Sequence, residues 1–195
     1  YPLRFGKRAS PSGQQPWYEL IGYSYGGQFL NTRTKTKLAE GYNIEEHRGI
    51  LHTVPFNVSL KAGFFNVTPF FTYTEKWYDR STTRSVNPAT NAVIDREVKG
   101  FNAVRYYDMG VSSSTKLYGM FQPGILGIKG IRHQMTPSLS YTYQPDFSKQ
   151  HFGYYGSYRD TTGQDIRYDL FQREVFGGAP AGERQAISLG IGNVF

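Results

Sequence analysis

Gly130-Ile131-Arg132-His133-Gln134-Met135-Thr136-Pro137-Ser138-Leu139-Ser140-Tyr141-Thr142-Tyr143-Gln144-Pro145 alternates along its whole length. One side reads Ile131, His133, Met135, Pro137, Leu139, Tyr141 and Tyr143. The other reads Arg132, Gln134, Thr136, Ser138, Ser140, Thr142 and Gln144, polar at every position. Successive side chains of a β-strand point to opposite faces, so a period of two marks a strand whose two sides meet different surroundings. The modal strand has about 5–6 residues, and this alternation lasts about three times as long.

The same pattern spreads outward from this stretch. Phe64 to Asp79 sets Phe65, Val67, Pro69, Phe71, Tyr73 and Trp77 against Asn66, Thr68, Thr72, Thr74 and Lys76, interrupted by Phe70. Phe101 to Tyr118 sets Tyr107, Met109, Val111 and Leu117 against Asp108, Gly110, Ser112, Ser114 and Lys116. Gly49 to Leu60 and Arg184 to Phe195 alternate too, and Trp17 to Leu30 is a Tyr- and Gly-rich candidate. Six long strands are expected, at about 17–30, 49–60, 64–79, 101–118, 130–146 and 184–195. Their connections alternate in length. Residues 61–63 read as a tight turn and 119–129 as an intermediate one, whereas 31–48, 80–100 and 147–183 read as long polar loops. Outer-membrane barrels connect their strands in this short–long manner.

Composition narrows the classes. The 195 residues carry 22 Lys+Arg and 15 Asp+Glu, a net charge of +7, with 16% aromatics and no Cys. Abundant aromatics and modest charge exclude a disordered chain. Without Cys there is no disulfide framework, thiolate metal site or cysteine nucleophile. No apolar run approaches the ~18 residues of a membrane-spanning helix. Mean hydropathy is −0.52, which suits a soluble protein and equally a β-barrel that averages lipid-facing and lumen-facing residues. The cations lie in mixed-charge connections, with no stripe that would track a nucleic-acid backbone, so no nucleic-acid partner is expected.

No enzyme is expected either, and no cofactor. Glu45-Glu46-His47 with His52 lacks the spacing of a helical zinc motif. Asp160 to Asp165 lacks the EF-hand ligand spacing, and no serine stands in a nucleophile elbow. Pro55, Pro69 and Pro137 fall inside expected strands. Proline cannot donate to a ladder, so each predicts a local bulge; weakened pairing between strands that must part is the alternative.

Two architectures fit alternating antiparallel strands: a soluble sandwich or binding module, and a transmembrane barrel. Strand length, small hydroxylated polar sides, and aromatics gathered near strand ends favour the barrel. Each crossing needs ~9–11 residues and is flanked by aromatic girdles. Single-chain bacterial barrels start at about eight strands. Weaker segments at 2–8 and 166–175 would add two, although the second suits a loop better. The expected fold is therefore all-β: one antiparallel transmembrane domain over 1–195, a partial barrel of about six strands from a larger one.

The stretch Arg132-His133, Thr136-Pro137-Ser138, Ser140-Tyr141, Tyr143 and Pro145-Asp146-Phe147 resembles a strand of the lipopolysaccharide-assembly outer-membrane protein LptD, in its divergent LptD-like branch. Val67 to Tyr78, Lys116 to Phe121, and Phe176-Gly177-Gly178 leading to Ser188 to Asn193 are similar to the same branch. The resemblance covers about 49–195. It implies a large barrel in the bacterial outer membrane that takes lipopolysaccharide from a periplasmic bridge and inserts it into the outer leaflet, plugged by a lipoprotein. A TonB-dependent nutrient transporter or porin-type barrel is the alternative. Ile187 to Phe195 also looks like a terminal barrel strand, which often ends in Phe; six strands favour a segment ending mid-barrel.

The alternation then assigns sides. Thr68, Thr72, Asp108, Ser112, Lys116, Arg132, Gln134, Thr136, Ser138 and Ser140 are expected to face the lumen. Val67, Phe71, Met109, Val111, Leu139 and Tyr141 are expected to face lipid. Trp17, Trp77, Tyr78, Tyr107 and Tyr143 are expected in the aromatic girdles, and Arg80, Arg84, Lys149 and Arg159 as contacts to lipopolysaccharide phosphates.

Overall fold

The computed structural model describes residues 3–4, 17–87, 89–121 and 131–194. Its strands are β1 (Leu3–Arg4), β2 (Ile21–Tyr23), β3 (Gly26–Leu38), β4 (Gly41–Val58), β5 (Leu60–Ala62), β6 (Phe65–Val86), β7 (Val93–Thr115), β8 (Leu117–Phe121), β9 (Ile131–Gln144), β10 (Tyr155–Arg159), β11 (Asp165–Asp169) and β12 (Arg184–Val194). Ten of them form one antiparallel sheet in the order β1-β2-β4-β6-β7-β9-β12, with β3 on β4, β5 on β6 and β8 on β9. The pairs β2/β3, β4/β5 and β7/β8 are pieces of single long strands, so the sheet is an up-and-down meander. Among the described residues no ladder joins β12 to β1, β2 or β3, and the sheet is open. β10 and β11 pair only with each other, inside the region read as a loop. Phe195 and the 122–130 part of the intermediate turn lie outside the described residues.

The strands are longer than their alternation. β6 has 22 residues and β7 has 23, roughly 70–75 Å at about 3.3 Å per residue. The regions 31–48 and 80–100, expected as loops, are instead the outer halves of two hairpins. β3 and β4 pair from Gly26↔Thr53 up to Leu38↔Gly41. β6 and β7 pair up to Val86↔Val93. Both sides are polar there, so no alternation betrays a strand. Arg84 lies opposite Asp95 and bonds it at 3.0 Å, and Arg80 reaches Glu97 at 3.2 Å. At the other end Gly63 takes φ +60, a left-handed conformation that closes the turn between β5 and β6 without Cβ strain.

The three prolines produce no bulges. Each faces an interruption of the neighbouring strand across which register is kept. Pro55 lies between Tyr23↔Phe56 and Gly26↔Thr53, opposite the β2/β3 break. Pro69 lies between Asn57↔Phe70 and Leu60↔Val67, opposite the β4/β5 break. Pro137 lies between Ser114↔Ser138 and Leu117↔Met135, opposite the β7/β8 break. At the first, Ser24 N–H still donates to the Pro55 carbonyl at 3.2 Å, while Pro55 has no N–H to return. The register shift between Tyr78 and Arg80 involves no proline.

Register also sorts the side chains. Thr68, Ser112, Ser140 and Ser188 form one transverse row of hydroxyls. On the opposite side Phe56, Phe71, Met109 and Tyr143 form a row, as do Val111, Tyr141 and Ile187. Tyr23, Phe56, Phe71 and Tyr107 run as an aromatic ladder with ring centroids 5.4–6.3 Å apart. This apolar side is bare: Leu139 is 49% and Leu189 82% exposed.

Replacing Pro137 with Val supplies the missing donor opposite the β7/β8 break. The amides of residues 115–117 should then exchange with solvent on the order of 10-fold more slowly. Unchanged exchange there would mean that the proline does not cause the break.

Candidate functional site

The polar side of the sheet carries the buried core, because residues 145–183 fold back across it. Tyr78, Val104, Phe147, Phe171 and Ala179 form that core. Phe147 reaches the ring of Tyr106 on the polar side at 6.0 Å and that of Tyr107 on the apolar side at 5.4 Å, and Phe171 stacks on Tyr78 at 5.4 Å. Gly110 faces Phe70, whose ring occupies the place a Cβ would take. The one aromatic that interrupts the polar alternation is thus accommodated by a glycine on the neighbouring strand.

One basic residue anchors the returning segment. Lys76 is 7% exposed. Its Nζ donates to the carbonyls of Phe176 at 2.8 Å, Gly178 at 2.7 Å and Gly177 at 3.4 Å. Two positions along the same side, the Tyr78 hydroxyl donates to the Gly177 carbonyl at 2.7 Å. The turn is held in shape by Asp169, which accepts from the N–H groups of Phe171 at 2.9 Å and Gly178 at 3.0 Å. Burial raises the Asp169 carboxyl above the usual carboxylate range, against these two bonds and the charge of Lys76.

The segment also fills the fork where β4 and β6 separate beyond Gly49↔Tyr78. Thr82 N–H donates to the Leu170 carbonyl at 2.8 Å and Arg84 N–H to the Tyr168 hydroxyl at 2.8 Å. On the other edge of this hairpin, Arg105 N–H donates to the Tyr154 hydroxyl at 2.9 Å. Strand edges that would otherwise be bare are covered. Across the fork, Arg173 bridges Glu45 at 3.3 Å and Asp95 at 3.5 Å, and Glu174 meets His47 at 3.4 Å. Burial raises the Glu174 carboxyl, with His47 opposing that shift.

All ten residues expected at the lumen share the polar side; Lys116 falls in the β7/β8 break, opposite Thr136. The six expected at lipid share the opposite side. Trp77 stands there with Phe29, Ile50 and Phe101, lining an apolar cavity of about 330 Å³ beside the Arg48–Asp79 ion pair at 2.7 Å. Tyr107 and Tyr143 are on that side too. Tyr78 is not: strand alternation turns it away from Trp77, and it is buried, 2% exposed, beneath the returning segment. The Trp17 side chain lies outside the described residues. Arg80 is largely buried and pairs with Asp79 and Glu97, and Arg84 pairs with Asp95 through its Nε. Arg159 pairs with Asp165 at 3.2 Å in the open, a weak tie. Lys149 lines a polar cavity with Gln150, Ser157 and Arg167. Among the described residues no three His, Asp or Glu side chains gather as metal ligands. Sequence reading placed Lys76 on the polar side but gave it no role, and it passed over Asp169 and Glu174. The anchor depends on contacts about a hundred residues away in sequence, which no local pattern records.

Where the segment leaves β9, Asp146 accepts from Ser148 Oγ at 2.7 Å, Ser148 N–H at 2.9 Å and Gly182 N–H at 2.9 Å. These bonds favour the carboxylate and bring its pKa down from 3.8 to about 2. A depressed acid stabilises the native state above its unfolded pKa and loses that contribution as pH falls through the folded value. Asp146 should therefore hold this junction closed at pH 4 and release it as pH falls towards 2, seen as a carboxyl titration by NMR. A midpoint near 4 would contradict the bonding.

The described residues contain no helix long and apolar enough to cross a membrane, which says nothing of crossing by strands. Neither the curated proteins nor the solved structures searched give a match. A family model described as LptD protein matches residues 2–195. With nearly every residue inside that match, and an all-β antiparallel meander as its fold, this chain belongs to the LptD protein family.

Proposed function

We propose that this chain forms part of a transmembrane β-barrel in the bacterial outer membrane that carries lipopolysaccharide to the outer leaflet, its apolar side against lipid and its polar side lining the lumen. The observation that carries this reading is the two-sided sheet. Rows of Phe, Val, Met, Leu, Ile and Tyr lie bare on one side, and rows of Ser and Thr lie behind them. A monomer in water rarely leaves so continuous an apolar surface uncovered. Against lipid the same surface is matched, and the hydroxylated rows line a wet interior.

The apolar side also has a boundary. Val67, Phe71 and Tyr73 give way to Glu75, which accepts from Tyr73 Oη at 2.7 Å, Trp77 Nε1 at 2.7 Å and Arg105 Nε at 3.1 Å. A carboxylate satisfied by aromatic donors next to Trp77 suits a membrane–water interface, where amphipathic rings gather. Beyond it the hairpins of β3/β4 and β6/β7 project from the membrane. The two edges that are free among the described residues are to be paired by further strands, since bare backbone is costly in lipid.

In this reading the chain does no covalent chemistry. It contributes wall, lumen surface and returning segment, and its partners are lipopolysaccharide, outer-membrane lipids, and, from the family, a plug lipoprotein and periplasmic bridge proteins.

Leu139 and its neighbour Ser138 test the assignment of sides. Leu139→Arg near mid-bilayer should cost about 2–4 kcal/mol, with Ser138→Arg milder, measured as folded barrel in reversible folding into vesicles. Equal tolerance at both positions would contradict it.

A further inference from the structure

We propose that residues 145–183 act as an inward-folded strap, seated by Lys76 and Tyr78 as positioning residues, that sets the width of the polar path along this sheet. The inference rests on the barrel reading, since the polar side becomes a path only when it lines a lumen.

The seat is polar where it could have been greasy. The Lys76 ammonium is buried; it donates to three carbonyls of one turn, lies over the Tyr106 ring at 5.0 Å, and is near enough to the Asp169 carboxyl to be attracted by it. Burying an ammonium is costly, and the carbonyls offset that cost only while the turn is in place. When the turn lifts, water solvates both the ammonium and the carbonyls. Seated and lifted states are thus each satisfied, which makes the contact reversible. An apolar side chain at 76 would pack without specifying where the turn lies.

The rest of the strap is fastened in the same manner. Arg173 spans from Glu45 to Asp95, and Glu174 meets His47 while its Oε2 is buried with no partner among the described residues. Beneath these ties the strap's own Phe147, Phe171 and Ala179 meet Tyr78 and Val104 in the apolar core, with further strap side chains packed around them. Below the anchor, the hydroxyl row of Thr68, Ser112, Ser140 and Ser188 continues down the same polar side. A strap crossing that side therefore narrows whatever passes along it.

The test uses the full-length protein carrying Lys76→Met with Tyr78→Phe, which removes four hydrogen bonds to the turn and keeps the ring of residue 78 on Phe171. Hydrogen exchange reads the seat, and single-channel conductance in planar bilayers reads the path. Exchange at the Gly177 and Gly178 amides should quicken on the order of 10-fold. Conductance should rise about twofold, with the thermal midpoint of the barrel unchanged. If the turn stays protected in the variant, Lys76 and Tyr78 do not seat it. If the turn is released and conductance stays at the wild-type value, the strap does not set the path. Failure of the wild-type protein to enter bilayers overturns the barrel reading and the strap with it, whereas an inserted protein unaffected by the substitutions overturns the strap alone.

Discussion

A slip of one residue between β6 and β7 would carry Phe71 to the side now held by Thr72, and every row of the sheet would follow. Side chains alternate with a strict period of two, so register and sidedness are one constraint. The row of Phe56, Phe71, Met109 and Tyr143, and the row of Thr68, Ser112, Ser140 and Ser188, exist only in the observed register. The returning segment depends on it as well. Lys76, Tyr78 and Val104 face the turn at 174–178 because they share the parity of Thr72 and Asp108. Their alternates Glu75 and Trp77 find partners on the other side.

Hydrogen bonding along the ladder is the second constraint, and the prolines show how it yields without loss of register. A bulge at Pro55, Pro69 or Pro137 would add a residue and turn the rest of the strand over. A gap drops local pairing and leaves alternation intact. The sheet thus tolerates proline in three of its long strands while keeping its two sides distinct. The register shift that does occur, at Tyr78/Arg80, lies beyond the alternating part of β6, in the hairpin whose sides are both polar. The strand edge in that region is capped by Leu170 and Tyr168.

The strands were legible in the sequence wherever their two sides meet different surroundings. From Ile131 to Gln144 the alternating stretch and the strand coincide closely, because apolar and polar positions never exchange. From Ser81 to Val86 and from Val93 to Lys99 the chain is equally extended, yet Thr and Arg occupy both sides, and it reads as a loop. Pairing there is supported by cross-strand ion pairs such as Arg84–Asp95, which one sequence window does not contain. Segment 145–183 is the least legible. Its order comes from Asp146, Asp169 and the carbonyls around Lys76, and none of these repeats with a period. Tyr78 was misplaced for a related reason: an aromatic at a strand end suits both an interface and a core, and only the fold-back decides.

The functional account reduces to the claim that one side of the sheet meets lipid and the other water. Spin labels placed singly at successive positions from Thr136 to Tyr143, in the full-length protein in outer-membrane vesicles, measure this directly. Relaxation by oxygen, which concentrates in the bilayer, should peak at the positions of Leu139 and Tyr141. Relaxation by a water-soluble nickel chelate should peak at Ser138 and Ser140. Chelate access that shows no period of two along the strand would contradict the account.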